Sequence, residues 1–419
     1  MRHWFYLLLA LLTPSFVNAA DTEVAAPITL KEVIVNVLEK NPQLGIHDFE
    51  SRAAAARIRQ AQQQTPYEAR VSIENIAGSS NYSGVDQLET TFSLVKILEP
   101  GNALSSRAEL TTSEATLLRN EQDSKRLDLL AAATEQFIHV VIDQHRLRIA
   151  QEQLELSKHT HTVVTERVNA GKSHSAEARR TAIAVARADI ELEHAEHELA
   201  VSRLKLSASW GETSPTFGSA EAQLFLLPPV KPFEQLKELL SHNPELIRLA
   251  TEERVSQARL NLAQSKRTPN LELSGGIRHF NGSDNAALVL SVGIPFGARS
   301  RAQPQVDEMQ YLAKREPLRF EQTRLSLHST LYQLYQELLH SQTAFETLSQ
   351  RIIPEAEQAA RDYKHGYERA RFSLLELNAA QQELLDARLE KVTTAANYHR
   401  LKIEIERLTG VALHSGEQL

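Results

Sequence analysis

Histidine is the first residue type in this sequence that could do chemistry, with 16 copies in the chain. His194-Ala195-Glu196-His197 sets two imidazoles three residues apart, a spacing that on a helix can chelate a metal ion. His159-Thr160-His161 is a second close pair. No HExxH stretch accompanies them, and His197 continues a seven-residue series through Ile183, Ile190 and Leu204. That series makes His197 a helix-interface residue rather than a ligand. No nucleophile stands beside a base, and no phosphate loop or carboxylate dyad is present. The sequence therefore predicts no enzyme, no cofactor and no resident metal. Two carboxylates remain, Glu177 and Glu376, each just past a short break in a long helical pattern. A carboxylate in the first turn of a helix is favoured by the helix dipole alone.

The elements that would position these residues are mostly long helices. Hydrophobic content is 42% with only 6% aromatic, a composition that suits extended amphipathic helices rather than a compact core. The formal charge of −7 gives no electrostatic case for nucleic acid. Arg2 and His3, the apolar run Trp4 to Leu12 and the small residues up to Ala19 read as a signal peptide, followed by an exported chain. With no cysteine in the sequence, neither a disulfide nor a lipid-bearing N-terminal cysteine is expected. No later apolar run approaches the length of a membrane-spanning helix.

The chain repeats itself. Asn41-Pro42-Gln43-Leu44 returns as Asn243-Pro244-Glu245-Leu246, each between a short helix and a longer one. Two strand pairs follow, at Tyr67 to Ile76 with Glu89 to Leu98, and at Asn270 to Phe280 with Ala287 to Phe296. Leu288, Leu290, Val292, Ile294 and Phe296 alternate with mostly small residues, the period-2 pattern of a strand with one apolar face and the length of one that crosses a bilayer. Lys96 and Glu89 interrupt the first pair. After Gly101 and Gly297 come long helices, from about Asn102 to Arg167 and from about Gln303 to Gly366, the second bent at Pro354. Each ends in a tight hairpin and a final helix, and the hairpins align Ala370 with Gly171 and Glu376 with Glu177. The predicted organisation is a signal peptide (1–19), a first repeat (20–211, strands about 67–98), a linker (212–232), a second repeat (233–410, strands about 270–296) and a tail (411–419).

The paired Asn-Pro motifs, the Ile353-Pro354-Glu355-Ala356 segment and the Tyr367 to Leu377 hairpin resemble the TolC family of outer-membrane efflux channels. Lean loops and the Arg- and Ala-rich starts of the long helices at Gly101 and Gly297 are most similar to its heavy-metal branch, the CzcC and CusC type. The resemblance implies a mainly α fold with a small membrane β part. Three protomers of the duplicated helix–helix–β-hairpin–long helix–helix unit would form an α-helical barrel and share a 12-stranded β-barrel. It implies a homotrimer in the outer membrane, contacting outer-membrane lipid, with its helical tunnel in the periplasm; many of the relatives carry a lipid on an N-terminal cysteine, and without a cysteine this chain is expected not to be lipidated. The partners implied are a periplasmic membrane-fusion adaptor and an inner-membrane RND pump, with no nucleic acid. At the hairpin tips it implies adaptor contact by Gly171, Lys172, Ser173, Ala370, Arg371, Phe372 and Ser373, and a pore gate at Glu376 and Glu177. Ala370 departs from the family's tip glycine, and Ala379 does not continue the acidic constriction. The expected function is an exit duct for heavy-metal cations. The alternatives are the same channel serving drug efflux or type I secretion, and a periplasmic coiled-coil scaffold with a small soluble sheet.

Overall fold

The computed structural model describes residues 26–410. The expected signal peptide and the 411–419 tail lie outside them. Strand β1 (Ile28–Thr29) leads into helix α1 (Leu30–Lys40), which starts on a capping box. Thr29 Oγ1 accepts from the Glu32 N–H, and the Glu32 carboxylate accepts from the Thr29 N–H at 2.8 Å. Helix α2 (Pro42–Ala61) follows, then β2 (Tyr67–Glu74), β3 (Glu89–Leu98), α3 (Ala103–Asn169) and α4 (Ser175–Ala208). The second repeat runs α5 (Phe233–Leu239), α6 (Pro244–Ser265), β5 (Leu271–Phe280), β6 (Asn285–Gly293), α7 (Ala298–Thr347), α8 (Ile353–Glu368) and α9 (Leu374–Thr409). Between the repeats, β4 (Ala220–Glu221) pairs in parallel with β1.

Asn41 and Asn243 do matching work in the two repeats. Asn41 Oδ1 caps α2 through the Gln43 N–H, while its Nδ2 donates to the Ser209 carbonyl at the end of α4, 2.8 Å away. Asn243 Oδ1 caps α6 through the Leu246 N–H, and its Nδ2 donates to the Leu408 carbonyl at the end of α9, 2.7 Å away. Each asparagine thus satisfies an orphan donor at one helix start and an orphan carbonyl at another helix end. Gly410 closes α9 in the left-handed region at φ 64°, and a Cβ there would lie 2.2 Å from the His242 carbonyl oxygen.

Three expected boundaries are corrected. β6 stops at Gly293, so Ile294 to Phe296 leave the sheet; Pro295 has no N–H to continue the ladder. β2 stops at Glu74 because Asn75 turns to φ 61°. The second long helix starts at Ala298, not near Gln303, and carries Pro304 and Pro317 inside it. The break expected at Pro354 takes the form of a π turn, Leu348–Ile352, whose wider ladder accommodates the proline's missing donor and its ring. The stretch read as a linker between the repeats is packed into the core. Phe217, Ala220 and Leu224 are buried against Val33, Phe137 and Leu206 in the main cluster, where each fully buried large side chain stabilises by roughly 1.5–3 kcal/mol.

Helix α3, with 67 residues, is about 100 Å long and is the spine of the molecule. In the half nearer the sheet α2, α3, α6 and α7 lie side by side; in the other half the order is α4, α3, α9, α8. β2, β3, β5 and β6 form one antiparallel sheet in the order β2-β3-β5-β6, and among the described residues its edges, β2 and β6, are open.

Candidate functional site

Both helical hairpins end at the tip farthest from the sheet, and the structure brings all the expected tip residues together there. Each hairpin closes as a Schellman turn: the Lys172 N–H donates to the Arg167 carbonyl and the Arg371 N–H to the Gly366 carbonyl, both at 2.8 Å. The residue in the left-handed position is Gly171 (φ 71°) in one and Ala370 (φ 57°) in the other, as the aligned repeats require. Ala370 keeps the glycine's conformation at a steric cost on the order of 1 kcal/mol. Phe372 folds over Gly366, where a Cβ would lie 2.1 Å from its ring, and packs against Tyr363 at 4.7 Å between centroids. Lys172, Arg371 and Phe372 are exposed, and Ser173 is half-buried.

The two candidate gate carboxylates are placed differently despite their equivalence in the repeat. Glu376 is exposed at the third residue of α9 and closes a capping box with Ser373, accepting at 2.8 Å from both its N–H and its hydroxyl. The Ser373 N–H holds the carboxyl below its ordinary value, with the Ser373 hydroxyl contributing. In α4 the equivalent cap position is His174, which makes no side-chain cap, so Glu177 is free to reach across. It accepts from the Tyr367 hydroxyl at 3.2 Å and so links the two hairpins. Arg167 adds to that link. Its guanidinium donates to the Tyr367 carbonyl at 2.9 Å and the Glu368 carbonyl at 3.2 Å, reaches Ser173 Oγ at 3.3 Å, and lies 4.7 Å above the Tyr367 ring. Burial pushes the Tyr367 phenol up, so it stays protonated as the donor. Beneath this link Val164, Leu374 and Leu377 are buried with Tyr367.

Arg167 and Tyr367 were visible in the sequence only as the boundaries of hairpins. A signal was available: Tyr367 aligns with Val168 and Arg167 with Gly366, so both break the repeat on which the tips are otherwise built.

The sheet separates its two faces by chemistry. Pair register puts Val71, Phe92, Ile277 and Leu288 in one row and Ala69, Leu94 and Leu290 in the next, all on one face. Leu288 and Leu290 are 83% and 84% exposed, so among the described residues nothing covers this face there. The ten residues of β3 and of β5 extend roughly 30 Å, the length of a tilted strand in a bilayer. Lys96, the expected interruption on this face, sits near the helical end and donates to the Thr65 carbonyl while lying 4.5 Å from the Tyr67 ring centroid. Glu89 falls on the opposite, polar face, paired with Arg278 at 2.8 Å.

The histidines do not gather. Among the described residues no three His, Cys, Asp or Glu side chains are arranged to hold a metal ion. His194 and His197 are exposed on α4, and His161 Nδ1 meets Thr181 Oγ1 at 2.8 Å, joining α3 to α4. His399 is buried, donates to the Leu224 carbonyl at 2.9 Å, and so pins the inter-repeat stretch to α9. Among the described residues no helix is long and apolar enough to cross a membrane.

Comparison with known proteins agrees with this geometry. Residues 235–411 match the family described as outer membrane efflux proteins. The cobalt-zinc-cadmium resistance protein CzcC of Cupriavidus metallidurans is 26% identical over 415 residues, covering 96% of this chain and 98% of that protein. The solved outer-membrane channel OprN superposes with a TM-score of 0.76 at 18% identity, covering 91% of this chain and 90% of that one. CusC, solved in a study of folding and transmembrane channel formation, gives 0.75 at 16% identity over 92% and 93%.

Proposed function

We propose that this chain is an outer membrane efflux protein of TolC-like fold, the exit duct of a tripartite efflux system that exports heavy-metal cations across the outer membrane of a Gram-negative bacterium. The observation that carries the reading is the sheet: one bare apolar face of bilayer length, one charged face, and two open edges. Open edges cannot stand in lipid, because every backbone donor and acceptor there needs a partner. Edge β6 of one copy pairing with β2 of the next removes them, and three copies give a closed barrel of 12 strands. The metal cargo is supported by the nearly full-length likeness to the metal-resistance protein CzcC.

The helical half supports the same ring. One side of the protomer is edged by α2 and α4 and the other by α7 and α8. On α7, Tyr311, Leu318, Leu325 and Tyr332 are exposed at seven-residue intervals; on α4, so are Ile183, Ile190 and Leu204 around His197. Such stripes are seams for neighbouring helices. Because they lie on opposite edges and in different halves, each meets a different helix of a neighbouring copy; such contacts are head-to-tail and give a ring when the rotation closes, as the barrel requires. At the tip, the Arg167–Tyr367–Glu177 link holds the two hairpins of one copy together, and we assign it the role of a latch. Exposed Lys172, Arg371 and Phe372 would then receive the periplasmic adaptor, through which the inner-membrane RND pump delivers cargo.

Membrane fractionation and native mass measurement test this directly. The chain should require detergent to leave the outer membrane and should run as three copies. Release as a single chain by osmotic shock would favour a periplasmic scaffold instead.

A further inference from the structure

The charged face of the sheet is organised more closely than solubility requires. Near the helical end, Arg70 of β2 reaches Glu272 of β5 at 2.9 Å and Glu68 of its own strand at 3.3 Å. Near the hairpin loops, Arg278 of β5 reaches Glu89 of β3 at 2.8 Å and Glu74 of β2 at 2.9 Å. Pair register puts all six on one face, opposite the apolar rows. Four carboxylates therefore meet two guanidiniums, and each copy carries a surplus of two negative charges on this face.

We propose that these two rungs make the barrel lumen a cation-favouring segment of the duct, separate from the helical tip, with Glu68, Glu74, Glu89 and Glu272 as specificity-determining residues. The proposal rests on the channel reading, since only a closed barrel turns this face into a lumen. The species favoured are hydrated cations, acted on by a field rather than bound. Each carboxylate keeps a guanidinium partner, so no open ligand set faces the water. The ion pairs also hold the side chains in place along the strands, which fixes where the field originates. A field from a wide wall reaches about one Debye length, ~10 Å at 0.1 M salt and ~30 Å at 0.01 M. The preference should therefore strengthen as salt falls.

The full chain in planar bilayers under a tenfold KCl gradient separates the barrel from the tip. With the dilute solution on the loop side, the barrel carries most of the resistance and sets the reversal potential; with the dilute solution on the tip side, the tip does. The unmodified channel should prefer K⁺ over Cl⁻ under the loop-side gradient. Glu68→Gln with Glu272→Gln removes the surplus and should lower that preference about twofold or more, leaving the tip-side value in place. Arg70→Gln raises the surplus and should shift the preference the opposite way, so a loss caused merely by disturbed strands would not pass for support. Loop-side reversal potentials that stay at the unmodified value in both variants would overturn the proposal. An unmodified chain that forms no conducting pore would overturn the channel reading itself, and this one with it.

Discussion

At the tip, one hydroxyl joins the two hairpins: Tyr367 donates to Glu177, and Arg167 holds the adjoining backbone carbonyls. Tyr367→Phe removes a hydrogen bond to a charged group, worth about 1.5 kcal/mol, while keeping the ring under Arg167. The open population should rise about tenfold, seen as larger or more frequent single-channel currents; unchanged currents would remove this bond from the latch. His399 gives a prediction in pH. Burial, with Lys402 nearby, lowers it to about 4 from an ordinary value near 6.5, so the unfolded chain binds its proton first as the medium acidifies. Stability should be full above pH ~6.5 and fall by about 3 kcal/mol as pH drops toward 4, with the slope flattened in His399→Gln, measured by thermal unfolding across that range. Which residues stand at the tip could be read from the spacing of the hairpins. What Glu177 and Glu376 touch could not: the difference turns on whether a serine (Ser373) or a histidine (His174) occupies the cap, and on a tyrosine from 190 residues away in sequence.

At the level of elements, duplication made most of the fold legible, because Asn-Pro motifs, strand pairs and helical hairpins each announce themselves locally and occur twice. The long-range half of each motif was not legible. Nothing local says that Asn243 also holds the Leu408 carbonyl, a contact made across 165 residues. Asn243→Ala should therefore exceed the loss of a helix cap, about 1 kcal/mol, because it also strands a buried carbonyl. A loss of about 2–4 kcal/mol in detergent unfolding is expected, and a loss below 1 kcal/mol would show that water replaces the contact. Proline acts differently in the two kinds of element. Pro304 and Pro317 lie within α7, where the packing of that helix along α6 outweighs the local penalty, and Pro295 ends a strand that alternation alone would extend.

For the whole molecule, the decisive features are the surfaces the protomer leaves uncovered. The seam on α7 should be essential to assembly: Leu318→Glu with Leu325→Glu places carboxylates in an apolar contact and should convert the extracted ring to single chains on native mass measurement, while a stable ring would move the interface elsewhere. The period-2 pattern of β6 and the seven-residue series of α4 were open to reading before any coordinates, since each lies within one element. The charge rungs were not, because Arg70 and Glu272 become neighbours only through the pairing of β2, β3 and β5. The measurement that tests the central claim most directly is growth of a strain lacking this chain on graded zinc, cobalt, cadmium, nickel, copper and silver, with hydrophobic drugs and bile salts alongside. Loss of tolerance confined to one or two metals, restored by the intact chain, is the result the exit-duct reading predicts. Unchanged metal tolerance with new sensitivity to drugs and bile salts would contradict the metal cargo.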